Sequence, residues 1–150
     1  MKTHCFRLRR GDDLLEKLEE FAGENHIPAA AVVSGVGCVS RARVRDASGV
    51  TVRELDEPLE IVSLMGTLSE KRTHLHISLS REDLTTLGGH LMAGCIVNTT
   101  AEIVVLELPG VRFDTEFDPE TGYDELVIRQ EEQPRYSICW PWGTLCPTTA

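Results

Sequence analysis

No apolar run in this sequence approaches the roughly 20 residues that a helix needs to cross a bilayer. The first ten residues, Met1 to Arg10, carry charge but no apolar central segment, so no secretory signal is expected there. A cytoplasmic protein with no membrane partner is the default expectation. The five cysteines (Cys5, Cys38, Cys95, Cys139, Cys146) are odd in number and lack Cys-x-x-Cys spacing. That pattern argues against a disulfide framework and against a cysteine zinc knuckle, leaving free thiols as the expectation. Basic excess is missing as well: the net charge is −9. Proteins that grip a phosphate backbone usually carry a basic footprint, so the charge argues against DNA. Ser34-Gly35-Val36-Gly37 holds one Gly-x-Gly, but the third glycine and the following helix of a dinucleotide-binding loop are absent. No serine or cysteine nucleophile stands beside a paired base. There is no internal repeat and no linker.

What is present fits one ordinary domain. The 150 residues are 41% hydrophobic and 26% charged, enough for a core of normal size. Met1 to Arg10 alternates as a first strand that Gly11 breaks. Asp12 is positioned as an N-cap, with acidic Asp13 in the first turn. Leu14, Leu15, Leu18, Phe21 and Ala22 recur at helical spacing, while Glu16, Lys17, Glu19 and Glu20 fall largely on a wet face. Gly23 and Pro28 end this helix.

Strands are expected over Ala29 to Val33, stopped by Ser34-Gly35-Val36-Gly37, whose glycines suggest a bulge or a close backbone approach. Val39 to Asp46 and Val50 to Leu55 read as a hairpin around Ser48-Gly49. Leu59 to Leu68 and Thr73 to Ser80 flank the polar turn Glu70-Lys71-Arg72. Arg81 to Leu87 reads as a loop or helical turn. Leu91 to Asn98, Glu102 to Leu108 and Tyr123 to Ile128 follow as strands. The fold class is therefore α/β in the broad sense (α+β): a mostly antiparallel sheet packed with one N-terminal helix. Residues 129–150, with Pro134, Pro141 and Pro147, read as an irregular tail whose Tyr136, Trp140 and Trp142 are expected to pack on the domain or on a neighbouring subunit.

The chemistry concentrates in three histidines. Along Thr73-His74-Leu75-His76-Ile77-Ser78-Leu79-Ser80, strand alternation turns Leu75, Ile77 and Leu79 one way and His74, His76, Ser78 and Ser80 the other. Two imidazoles side by side make a natural grip for a borderline-soft cation. Gly88-Gly89-His90 adds a third after glycines that let the backbone approach a crowded centre. Three histidines with an open position are the usual arrangement of catalytic zinc, so His74, His76 and His90 are the candidate ligands for Zn2+ or another divalent ion. His4 and His26 have no comparable setting.

These residues also resemble a known family. Glu60-Ile61-Val62-Ser63-Leu64-Met65-Gly66-Thr67-Leu68 is similar to a characteristic strand of the PPC (plant and prokaryote conserved) domain family. His74 to Leu79, Gly88-Gly89-His90-Leu91 and Gly94 resemble its central block. Leu8 to Gly37 and Glu102 to Val105 resemble its opening and its closing strand, so the resemblance covers about residues 5–128. It implies a mostly antiparallel α/β domain assembled as a homotrimer. It also implies a DNA-binding label, which comes largely from plant relatives that grip the minor groove with an AT-hook segment; no Arg-Gly-Arg-Pro hook occurs in this chain. Plant members generally lack the histidine set kept here. The implied fold is similar to that of acetolactate decarboxylase, which has a three-histidine zinc site, although a fold does not carry a function.

Two further features bear on function. Arg41, Arg43 and Arg45 share one strand face, and Arg53 could join them. They form either an anion or nucleic-acid patch or, as the better reading, a solvated sheet face or ion pairs with the acids around Glu54 to Glu60. Asp114, Glu116 and Asp118 alternate in an acidic stretch that best fits a solvated edge. Three functions follow: a zinc-dependent lyase or hydrolase acting on a small carbonyl or carboxylate, a DNA-associated regulatory module, or a trimeric sensor of a small molecule.

Overall fold

The computed structural model describes residues 2–131 and the backbone of two short strands at 136–139 and 144–147. The chain runs β1 (Thr3–Arg9), α1 (Leu14–Glu24), β2 (Ala30–Arg45), β3 (Val52–Leu55), β4 (Leu59–Leu68), β5 (Thr73–Ser80), β6 (Thr86–Leu91), β7 (Ile96–Glu107), β8 (Val111–Asp118), β9 (Tyr123–Gln130), β10 (Tyr136–Cys139) and β11 (Thr144–Pro147). The main sheet is antiparallel with order β1-β7-β2-β4-β5-β6; β3 pairs with β2, and β6 also returns to β2. Strands β2, β4, β5 and β6 thus close a circuit, and the candidate histidines sit where it closes. The expected single, mostly antiparallel domain with one N-terminal helix is what the structure shows.

The helix forms where its apolar spacing placed it. Leu14, Leu18 and Ala22 are buried, and Leu15 and Phe21 pack against the same core. Its cap is one residue later than expected. Asp13, not Asp12, accepts hydrogen bonds from the Leu15 and Glu16 amides, while Asp12 accepts from the Arg9 amide. Asp13 wins because its second carboxylate oxygen also accepts from the Gly94 amide, tying the helix start to the β6–β7 connection. Asp13→Ala should therefore cost about 1–2 kcal/mol and lower the melting temperature by about 2–8 °C. Thermal unfolding checks this, with Asp12→Ala as the milder comparison.

Two expected pairs of strands prove to be single long ones. β2 passes straight through Ser34-Gly35-Val36-Gly37, with register irregularities against β7 between Val32 and Ser34, Gly37 and Val39, and Val39 and Arg41. Gly37 holds φ +138°, and a Cβ there would run into the Thr100 carbonyl and Ala101. The glycines bend the strand against β7 instead of ending it. Likewise β7 is continuous from Ile96 to Glu107. The stretch expected as a loop before His90 ends in β6, because Gly88 and Gly89 are paired with β5. The tail is less irregular than expected: Tyr136–Cys139 pairs antiparallel with Thr144–Pro147. The packing expected of Tyr136, Trp140 and Trp142 lies outside the described residues. Cys5, Cys38 and Cys95 are free thiols, as expected; the side chains of Cys139 and Cys146 also lie outside that range.

Candidate metal centre

Strand β5 alternates as its sequence requires. Leu75, Ile77 and Leu79 enter the core, His76 is exposed, and His74 is half-buried. Strand β6 brings the third histidine alongside: His90 is the direct cross-strand partner of His76, and on its other side it pairs with Arg45 of β2. Glycine makes this convergence possible. A Cβ on Gly88 would strike the Ile77 carbonyl, and one on Gly89 would strike the Arg45 carbonyl. β6 is wedged between two backbones, and only residues without side chains fit there.

The result is a cluster of three imidazoles. One ligand atom from each lies within 4.8 Å of the others. Ring centroids are 5.0 Å apart for His74 and His90, 5.2 Å for His74 and His76, and 5.6 Å for His76 and His90. The Nε2 atoms of His74 and His76 are 3.3 Å apart. Tetrahedral zinc with Zn–N bonds of about 2.0–2.1 Å spaces its nitrogens about 3.3–3.4 Å apart, so this pair already has a zinc-compatible bite. Nδ1 of His90 is buried without a hydrogen-bond partner among the described residues, an unusual state for a ring nitrogen. Partial burial, followed by the charge of Arg45, pushes the His90 pKa down to about 4. Burial and then Arg72 also lower that of His74. His90 is thus neutral at pH 7, with its lone pair available, as a metal ligand must be. On these observations the three residues fit a divalent ion.

A cleft of about 320 Å³ adjoins His74 and His90. Arg45 and Arg72, with Tyr123, Asp124 and Glu125 of β9, help to wall it. Sequence reasoning missed this wall. Arg72 read as part of a polar turn, and Asp124 and Glu125 were submerged in a generally acidic stretch. Only its place two residues before His74 singled out Arg72.

The other candidates are placed elsewhere. Arg41 pairs with Glu54 and Asp56, and Arg43 with Glu54 at 3.0 Å and the Ala93 carbonyl. Arg53 pairs with Asp46 and does not join them. The three arginines of β2 are therefore not equivalent: Arg41 and Arg43 are ion-paired, and Arg45 faces the cleft. Asp114 pairs with Lys71 and Arg129, and Glu116 with Arg129. His4 bonds Glu107, and His26 lies near Glu70.

Comparison with known proteins agrees with this architecture. The family model of the Plants and Prokaryotes Conserved (PCC) domain matches residues 1–109. Over 141 residues the chain is 40% identical to a "Bifunctional protein GlmU" of Synechococcus sp. (strain JA-2-3B'a(2-13)), covering 94% of this chain but 22% of that protein. The chain thus spans about a fifth of the curated relatives it matches. Among solved structures, a hypothetical protein from Salmonella cholerae-suis superposes with TM-score 0.83 at 34% identity, covering 86% of this chain and 94% of that one. A metal-containing protein from Archaeoglobus fulgidus gives TM-score 0.71 at 33% identity, covering 85% and 94%. One from Ralstonia eutropha JMP134, named as a candidate DNA-binding protein, gives 0.70 at 28%, covering 82% and 89%. With its fold, its glycine-framed histidine strands and a family match over most of its length, this chain belongs to the Plants and Prokaryotes Conserved domain family.

Proposed function

We propose that the protein binds one divalent metal ion, zinc by preference, through His74, His76 and His90, and uses it to act on or sense a small carbonyl or carboxylate molecule. The observation that carries this reading is the convergence of three imidazoles, one with an unpartnered buried nitrogen, beside a cleft. When bound, such an ion supplies a Lewis acid that polarises an oxygen of the molecule. The chain's own part is to disfavour protons on His74 and His90 and to shape the cleft. The metal-containing relative from Archaeoglobus fulgidus adds support by similarity.

The proposal includes a homotrimer. Val33 and Val36 on β2 and Val62 and Met65 on β4 are exposed on paired strands. Met65 is also the cross-strand partner of His76, so this apolar face reaches the histidines. Exposed apolar side chains on paired strands suit subunit contact. Elemental analysis of protein purified without chelator, with sedimentation to count subunits, tests the reading. The expected outcome is about one zinc per chain; metal-free protein that takes up no zinc on dialysis overturns it.

A DNA-binding role has the name of the Ralstonia relative behind it. In this chain the net charge is −9, and Arg41 and Arg43 are engaged by acids. No mobility shift is expected on any duplex, even at low salt, where phosphate contacts are strongest. A salt-sensitive shift would favour DNA instead.

A further inference from the structure

Among the cations around the histidine cluster, Arg45 differs from its neighbours. It is the last residue of β2, in register with His90, and it lines the cleft with His74 and His90. Arg41 and Arg43, on the same strand, are ion-paired, and Arg72, which also lines the cleft, lies 3.9 Å from Glu125. Among the described residues Arg45 has no salt bridge and its guanidinium makes no hydrogen bond. Its position is also built into the backbone: only a glycine at 89 lets β6 approach the Arg45 carbonyl so closely. The fold thus sets an uncompensated guanidinium beside the imidazoles.

We infer that Arg45 is the anion seat of this cleft, receiving the carboxylate of a small 2-oxo- or 2-hydroxy-carboxylate whose adjacent oxygen faces the three histidines. This deepens the metal-binding proposal and rests on it for the role of the second oxygen. A guanidinium presents paired N–H donors that match a carboxylate and stays charged at every working pH. Three neutral imidazoles leave the charge of a divalent ion unbalanced, and Arg45 adds to it, so an anionic ligand is favoured between them. Asp124 and Glu125, which also line the cleft, bear the opposite sign and repel an anion, so its seat is the lining cation that no described carboxylate engages, Arg45. Arg72 is held by Glu125 and plays a secondary part. A cleft of about 320 Å³ is at the small end of ligand pockets, which suits a ligand of a few carbons.

The test uses the full chain, loaded with zinc and separately metal-free, titrated calorimetrically with pyruvate, with lactate and with uncharged hydroxyacetone. Arg45→Gln and Arg45→Lys are compared with wild type, and metal content and circular dichroism confirm that each variant is folded and loaded. Zinc-loaded wild type is expected to bind both carboxylates at least about tenfold more tightly than hydroxyacetone. Arg45→Gln should weaken the carboxylates by about 10–100-fold, the loss of one charge-assisted contact, without changing zinc content or hydroxyacetone binding. Arg45→Lys should recover part of the loss. Equal carboxylate binding by wild type and Arg45→Gln, or no carboxylate binding in either form of the wild type, overturns the anion seat. A wild type that takes up no zinc overturns only the metal reading; Arg45-dependent carboxylate binding to metal-free protein would then still establish the seat.

Discussion

Replacing His90 with alanine is expected to abolish stoichiometric zinc binding. Wild type should purify with about one zinc per chain, and His90→Ala and His74→Ala with little. Removing a partner that merely hydrogen-bonds a metal ligand typically lowers metal affinity about 10–100-fold. Removing a ligand itself leaves two imidazoles and should cost more than about 100-fold. His90 should be the more sensitive position, because it is neutral at pH 7 and its buried Nδ1 has no other partner among the described residues. The loss should also appear in stability. Zinc at about 1,000 times its dissociation constant stabilises a folded protein by about 4 kcal/mol, so excess zinc should raise the wild-type melting temperature by about 8–16 °C and should do little for the variants. His26→Ala is the control, since His26 is exposed and outside the cluster. Variants that keep the wild-type zinc content at His74 and His90 would remove the site.

The second large effect is expected at a residue that bears no side chain. Gly66 on β4 holds φ +147°, and a Cβ there would overlap the His74 carbonyl and come within 2.9 Å of the Leu75 Cα. Gly66 and Leu75 are cross-strand partners, so the overlap falls on the strand that carries two of the histidines. Gly66→Ala combines an unfavourable backbone angle, worth about 1–3 kcal/mol, with overpacking that costs about 1–3 kcal/mol more. A loss of about 2–6 kcal/mol is expected, or about 4–24 °C in melting temperature at one fixed protein concentration. Zinc affinity should fall with it, because relieving the overlap moves His74. Gly122→Ala separates the two causes. Gly122 has φ +77° but open space around it, so only the angular cost applies. If Gly66→Ala is no more harmful than Gly122→Ala, the close approach of β4 to β5 is absent.

How far the site was legible in the sequence depends on the range over which each signal acts. Period-two alternation is local, so β4 and β5 were predicted to the residue, and the pairing of His74 and His76 on one face came with them. The helix was equally plain from Leu14, Leu18 and Ala22, but its cap was misplaced by one residue. Asp12 and Asp13 are chemically alike, and the deciding bond runs to Gly94, far along the chain. Glycine was half legible. The close approaches expected at Gly35-Val36-Gly37 and at Gly88-Gly89 are present, but the first was expected to stop a strand and the second to follow a loop or helical turn. In the structure all four lie within strands; a Cβ on Gly37, Gly88 or Gly89 would meet another backbone, and one on Gly35 the Leu64 side chain.

By itself the sequence determined the antiparallel α+β class, the helix, the alternating histidine strand and the identity of the three imidazoles. Those follow from periodicity and residue chemistry, which act between near neighbours. Only the tertiary structure decided that His90 lies across from His76, that Arg41 and Arg43 are engaged by Glu54, and that Arg45, Arg72 and β9 line a cleft beside the histidines. These depend on strand register and on the closure of β6 onto β2, which are set by pairings between distant segments and by where the backbone can come close enough to pair.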